Sequence, residues 1–213
     1  MSTSPPITPT SGAPAPVELA PEDRVRLLDL ARVAVGVAVG ALPAADLRAS
    51  LADGPLPDRQ GGAFVTLTEH GDLRGCMGTL DEEAPAWRSV VDAARLAALG
   101  DPRFLAVAPS ELGRIHLEVS ILGPMARLPD PAGFRPGIDG IVVRRDGRRA
   151  LLLPDVAEML DPGPTSMLDA CCRKAGLARG AWRDPRTELW VFRTCRFGGP
   201  AARPPMRRRR HQR

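Results

Sequence analysis

The sequence predicts an α+β fold of two-layer sheets with helices, divided into two subdomains, and three observations predict it. A succession of hairpin, helix and strand runs from Phe64 to Leu122, and the same succession returns from Ile141 to Phe197, a possible internal ββαβ duplication. Between Arg114 and Leu122 the side chains alternate, with Ile115, Leu117, Val119 and Ile121 on one face and His116, Glu118 and Ser120 on the other, as a strand with one packed face requires. A chain of 213 residues is long enough for one sizeable domain or two small ones sharing a core.

Taken in order, residues 1–20 are rich in Ser, Thr, Pro and Ala without apolar periodicity, and are expected to form a disordered leader. Pro21 opens a helix in which Val25, Leu28, Arg32 and Val35 follow the 3.6-residue period, with Glu22 and Asp23 at its positive end. From Leu42 to Gly62, prolines and glycines interrupt short polar pieces, and a surface connection with at most a brief helical turn is expected. Phe64–Thr68 and Leu73–Leu80 form a hairpin around Glu69–Asp72. Pro85 begins a helix with Trp87, Val90, Val91, Ala94 and Ala98 on its apolar face, and Gly100 ends it. Asp101–Phe104 is a compact loop that brings Arg103 toward the hairpin.

In the second half, Asp146-Gly147 is a two-residue turn signal between Gly140–Arg145 and Arg148–Leu153. After a turn at Pro154-Asp155, Thr165 or Ser166 is expected to cap a helix with Leu168, Cys171, Cys172 and Ala175 as its apolar stripe, Lys174 near its end and Gly176 as its stop. Glu188–Phe197 reads as one closing strand, buried on both faces where Leu189, Trp190, Val191 and Phe192 are consecutive.

Charge and cysteine usage narrow the function classes. Six arginines, Arg203, Arg207 to Arg210 and Arg213, lie in a C-terminal stretch from 200 to 213 that has no acidic residue and is expected to be a disordered basic tail. Without that stretch and the first twenty residues, 23 basic residues face 24 acidic ones, so nucleic acid is an unlikely partner beyond the tail. The four cysteines show neither a disulfide framework nor a CxxC or Cys/His metal spacing. The apolar run Val33–Leu42 is too short to span a bilayer, and with reduced thiols this reads as a cytoplasmic protein without a membrane partner. No motif names a cofactor or a metal.

Leu73-Arg74-Gly75-Cys76-Met77-Gly78-Thr79 is the stretch that folding explains least. In an extended strand Arg74 and Cys76 share a face, and a neighbouring guanidinium favours the thiolate, the reactive form. Gly75 and Gly78 mark a bulge or a close approach. When Gly71 is laid on Gly147, Ala150 and Leu152 stand opposite Arg74 and Cys76, so the second hairpin carries apolar residues there.

With these pieces in place the sequence resembles the AMMECR domain family. The signature is a Leu-Arg-Gly-Cys-Ile-Gly-like motif, here Leu73 to Gly78 with Met77 in place of isoleucine. Blocks around Phe64–Leu67, Asp101–Phe104, Glu118–Leu122, Gly137–Ile141, Leu153–Val156 and Cys172–Leu177 with Trp182 extend the likeness over roughly residues 20 to 200. The resemblance implies two subdomains around a cleft, with the motif near it. It also implies a place in the AmmeMemoRadiSam system, with a Memo-like protein and a radical SAM enzyme as partners, but it delivers no established reaction.

Two readings of the site stay open. In the first, a binding module holds a small ligand or a modified protein segment through Arg74, Gly75, Gly78, Thr79, Arg103, Ser120 and Asp155. Arg74 then meets a carboxylate or phosphate, and the glycines present backbone N–H groups. In the second, an enzyme uses Cys76 as nucleophile or redox thiol, Arg74 as thiolate stabiliser and anion clamp, and Glu118 or His116 as proton carrier.

Overall fold

A computed structural model describes residues 14–160 and 163–201, and the chain divides into two compact units. Residues 1–13 and 202–213, which hold most of the expected leader and tail, lie outside the described residues. Elements run α1 (Pro21–Ala38), α2 (Ala44–Ala52), β1 (Ala63–Glu69), β2 (Asp72–Gly78), α3 (Ala86–Leu99), β3 (Ile115–Leu122), β4 (Ala126–Arg127), β5 (Gly140–Arg145), β6 (Arg148–Leu152), α4 (Pro164–Lys174), β7 (Glu188–Phe192) and β8 (Thr194–Pro200).

The first unit comprises residues 19–121 and the chain from 196 onward. Its sheet has the order β2-β1-β3-β8, with β1 antiparallel to both neighbours. His70 and Gly71, with φ of 54° and 92°, make the two-residue turn of the β1/β2 hairpin, a left-handed pair matched to strand twist. Val65 and Leu67 on β1 and Leu117, Val119 and Ile121 on β3 are fully buried, as are Leu27, Leu30, Ala31, Ala34 and Val35 of α1 and Val90 and Ala94 of α3. Helix α3 packs on β1 and β2, and α1 packs on α3.

The other unit comprises residues 14–18 and 122–195, with the sheet order β4-β7-β5-β6. Its core gathers Ile141, Val143, Ala150, Leu152, Leu189 and Val191 from the sheet with Met167, Leu168, Cys171 and Cys172 from α4. In each sheet the first hairpin strand sits between its partner and the strand that follows the helix, β2-β1-β3 in one and β6-β5-β7 in the other. The α+β class and the repeated order of elements are therefore plain in the architecture.

Several expectations are corrected. Val17 and Leu19, assigned to the leader, are buried. The stretch after Leu42 forms a nine-residue helix, α2, because Ala44, Ala45, Leu47, Arg48, Ala49 and Leu51 are good helix formers following an extended Pro43. Neither Thr165 nor Ser166 caps α4; Gly163 holds that position with φ of 127° and no side-chain bond. The closing strand is two strands in two sheets: the chain leaves β7 at Arg193, whose carbonyl accepts the Gly123 N–H and whose guanidinium reaches buried Asp139, and re-enters as β8. The short strand β4 lacked a pattern long enough to read. Among the described residues, no helix is long and apolar enough to cross a membrane.

Candidate functional site

The signature strand β2 is an edge strand, and an edge exposes every second N–H and C=O. Cys76 stands opposite Thr66. Its outward N–H donates to the Asp101 carboxylate at 2.8 Å, and its carbonyl accepts from the Arg103 guanidinium at 3.4 Å. A residue whose backbone bonds point away from the partner strand belongs to a non-hydrogen-bonded pair, where side chains come closest. Accordingly the Thr66 hydroxyl lies 3.3 Å from the Cys76 sulfur.

Asp101 is buried and follows the C-terminal Gly100 of α3. Besides Cys76 it accepts from Arg103, at 2.9 Å from Nε and 2.7 Å from Nη2, a bidentate pair. The Arg103 hydrogen bond, together with backbone bonds from Cys76 and Arg103, holds the Asp101 carboxyl well below the usual carboxylate range against the opposing effect of burial. The same pairing raises the Arg103 pKa, and proximity to the Cys76 sulfur adds a smaller effect in the same direction. Arg103 is half exposed.

Arg74 is differently engaged. The register slips by one residue between Leu67 and Thr68 of β1, pairing them with Gly75 and Leu73, so Arg74 is the extra residue of a bulge. Its guanidinium makes a bidentate pair with Glu111, at 2.8 Å and 3.2 Å, and donates to the Leu105 and Ala106 carbonyls. Glu111 also accepts the Ala108 N–H at 2.6 Å, and its pKa is lowered, first by Arg74. The expectation that Arg74 clamps an anion or steadies the thiolate is thereby corrected: its donors tie the 105–111 loop to the edge strand, and the guanidinium beside Cys76 is that of Arg103.

The glycines are corrected in the same sense. Gly75 has no positive φ; its missing side chain lets the Ala97 carbonyl of α3 approach the strand. Gly78 accommodates the Phe64 ring and the Ala63 carbonyl. Thr79 turns the chain, its hydroxyl accepting the Asp81 N–H at 3.1 Å.

On β3, Glu118 and Cys76 both stand opposite Thr66, giving a cross-strand row Cys76–Thr66–Glu118, with Arg196 of β8 pairing Glu118 at 3.6 Å. The Cα atoms of Cys76 and Glu118 are two strand spacings apart, about 10 Å. Thr66 occupies the place between them. His116, opposite Thr68, is exposed, and Ser120, opposite Phe64, is buried. The structure thus brings Cys76, Glu118, His116, Ser120 and Arg103 into one unit. Asp155 belongs to the other unit, in the turn Pro154–Met159 after β6.

Asp101, Glu111 and Thr66 escaped the sequence reading as site residues. The Asp-Pro-Arg spacing directly after a helix-ending glycine was the available signal for Asp101; nothing local marks Glu111 or Thr66. The remaining cysteines serve packing. Cys171 is buried and pushed up to about 12 by desolvation, and Cys172 is shifted upward for the same reason. The Trp182 indole donates to Asp169 at 2.8 Å while its ring packs on the core of its unit. Lys174 is an exposed charge at the end of α4. Among the described residues, no group of three or more His, Cys, Asp or Glu side chains is placed to hold a metal ion.

These features define an α+β protein with two four-stranded sheets and a half-buried thiol pinned at the edge of one of them. The chain belongs to the AMMECR1 family, whose model matches residues 28–197. It is 41% identical over 151 residues to a protein of Methanothermobacter thermautotrophicus, a match covering 67% of this chain and 79% of that one. It is 38% identical over 162 residues to a protein of Aeropyrum pernix, covering 71% and 69%. The crystal structure of PH0010 from Pyrococcus horikoshii superposes with a TM-score of 0.71 at 28% identity, covering 83% of this chain and 92% of that one.

Proposed function

We propose that the chain is a binding module. Its contact surface is the sheet face carrying Cys76, Thr66, Glu118, His116 and Ser120, and its ligand is a small polar molecule or a modified protein segment. The setting is the AmmeMemoRadiSam system that the family resemblance implies, with a Memo-like protein and a radical SAM enzyme as partners. The observation that carries the reading is the clamp on Cys76, whose N–H and C=O are both held by the Asp101–Arg103 pair. A thiol fixed by its backbone inside a row of hydrogen-bonding side chains is a preorganised contact, and preorganisation lowers the ordering cost of binding. Arg74 supports this surface from behind, as a builder of the loop and not as a ligand.

The test is binding of the two purified partner proteins to the immobilised chain and to its Glu118→Arg variant. Charge reversal at a half-exposed contact is expected to weaken binding about tenfold, with the melting temperature nearly unchanged. Equal affinity of wild type and variant for both partners would refute the assignment of this face.

One observation favours a second reading, in which Cys76 reacts. The effect of the sulfur on Arg103 is reciprocal, so the guanidinium favours the thiolate. In that case Thr66, between the sulfur and Glu118, relays the proton.

A further inference from the structure

A groove of about 1220 Å³ opens between α1 and α2, away from the Cys76 face. Its α1 wall is one helical stripe, Glu22, Arg26, Asp29, Val33 and Gly36, and its α2 wall is Asp46, Ala49, Ser50 and Asp53. Helix α2 has no buried residue, although nine-residue helices need tertiary packing to persist in water. Its ties to α1 include the Arg26 guanidinium on the Ser50 carbonyl.

The charges of the groove are unbalanced. Arg26 is engaged with Ser50, and Arg32 with Asp29 and the Pro200 carbonyl. Glu22, Asp46 and Asp53 have no ion-pair partner among the described residues. The groove therefore presents acid to whatever fills it.

Its lining also includes Ala201, which is buried and whose N–H donates to the Ile115 carbonyl. That is the last described residue, so the chain is delivered into the groove at the point where residues 202–213 begin. This segment carries Arg203, Arg207 to Arg210 and Arg213 and no acidic residue. Twelve residues reach at most about 40 Å, while α2 is only about 13 Å long.

We propose that residues 202–213 of the same chain occupy the α1/α2 groove, with their arginines paired to Glu22, Asp46 and Asp53. The tail is then a strap that covers the unpacked face of α2, and its arginines are withheld from nucleic acid and other acidic surfaces while it is seated. The inference is independent of the reading of Cys76.

The experiment is amide hydrogen exchange of residues 44–53 in the full-length chain, compared with a tail variant, Arg207→Glu with Arg208→Glu, and with a groove variant, Asp46→Lys with Asp53→Lys. Either variant should speed exchange of α2 by about fivefold, as expected from two lost surface ion pairs. Combining the two should restore protection, an outcome that local damage to α2 by the groove substitutions does not produce. High salt should mimic the single variants in the wild type. Unchanged exchange in the tail variant would overturn the proposal. Protection that falls on dilution would also overturn it, by assigning the groove to the tail of a second copy.

Discussion

Gly75→Ala tests how the signature strand is built. An ideal Cβ on Gly75 falls 2.2 Å from the Ala97 carbonyl oxygen, where ordinary contact begins near 3.4 Å, so β2 and α3 must separate by roughly 1 Å. The obstacle is helix backbone beside buried Ala97 and Ala98, which has no rotamer to yield. Overpacking of this kind costs about 1–3 kcal/mol. With a urea m-value of about 2 kcal/mol/M, the midpoint should fall by about 0.5–1.5 M. Gly75→Val should cost more than Gly75→Ala, and Cys76→Ser, at a half-buried site, should cost below about 1 kcal/mol. Gly71→Ala separates the causes, since Gly71 has open space around it but a φ of +92°, and the loss there should be about 1 kcal/mol. A Gly75→Ala midpoint indistinguishable from wild type would refute the close-approach argument.

Asp101→Asn should lower stability at neutral pH by about 2 kcal/mol, as hydrogen bonds to a charged group are lost. The folded-state pKa of Asp101 is depressed, so the wild-type contribution is present above the ordinary carboxylate value and is lost as pH falls through the folded one. The gap between wild type and variant in urea titrations should therefore narrow below about pH 4, and a gap constant from pH 7 to pH 2 would contradict the assignment. In iodoacetamide labelling followed across pH by peptide mass spectrometry, Cys76 should react well ahead of buried Cys171, Cys172 and Cys195. Arg103→Ala should move the Cys76 profile to higher pH, whereas Arg74→Ala should not. Labelling of Cys76 only on denaturation would remove the reactive reading.

Much of this was legible in the sequence because it depends on local pattern. The hairpin at Asp146-Gly147, the alternation of β3 and the stripe of α4 are each set by neighbours within a few residues, and the structure keeps them. Glycines in a strand announced that something approaches closely, but not what. The identity of the Ala97 carbonyl depends on where α3 lies, which strand periodicity does not encode. Arg74 was misassigned for a related reason. Side chains at i and i+2 share a face only in a regular strand, and the one-residue slip opposite Leu67 and Thr68 removes that premise. Glu111, the residue that decides the role of Arg74, is 37 positions away.

Both arginines near the motif therefore join the 101–111 segment to the edge of β2, Arg103 through Asp101 at Cys76 and Arg74 through Glu111 at the bulge. An edge strand with free backbone groups can recruit a partner by adding a strand to the sheet. At Cys76 that route is closed, because the outward N–H and C=O already have partners supplied by the chain itself. The pleat turns the Cys76 side chain out of the strand plane, into the row shared with Thr66 and Glu118. A partner engaging the thiol must then approach over the sheet face, where it meets side chains and not main chain. Its specificity would rest on the hydroxyl of Thr66 and the charge of Glu118, and loosening the Asp101–Arg103 clamp would reopen the edge and misplace the thiol together.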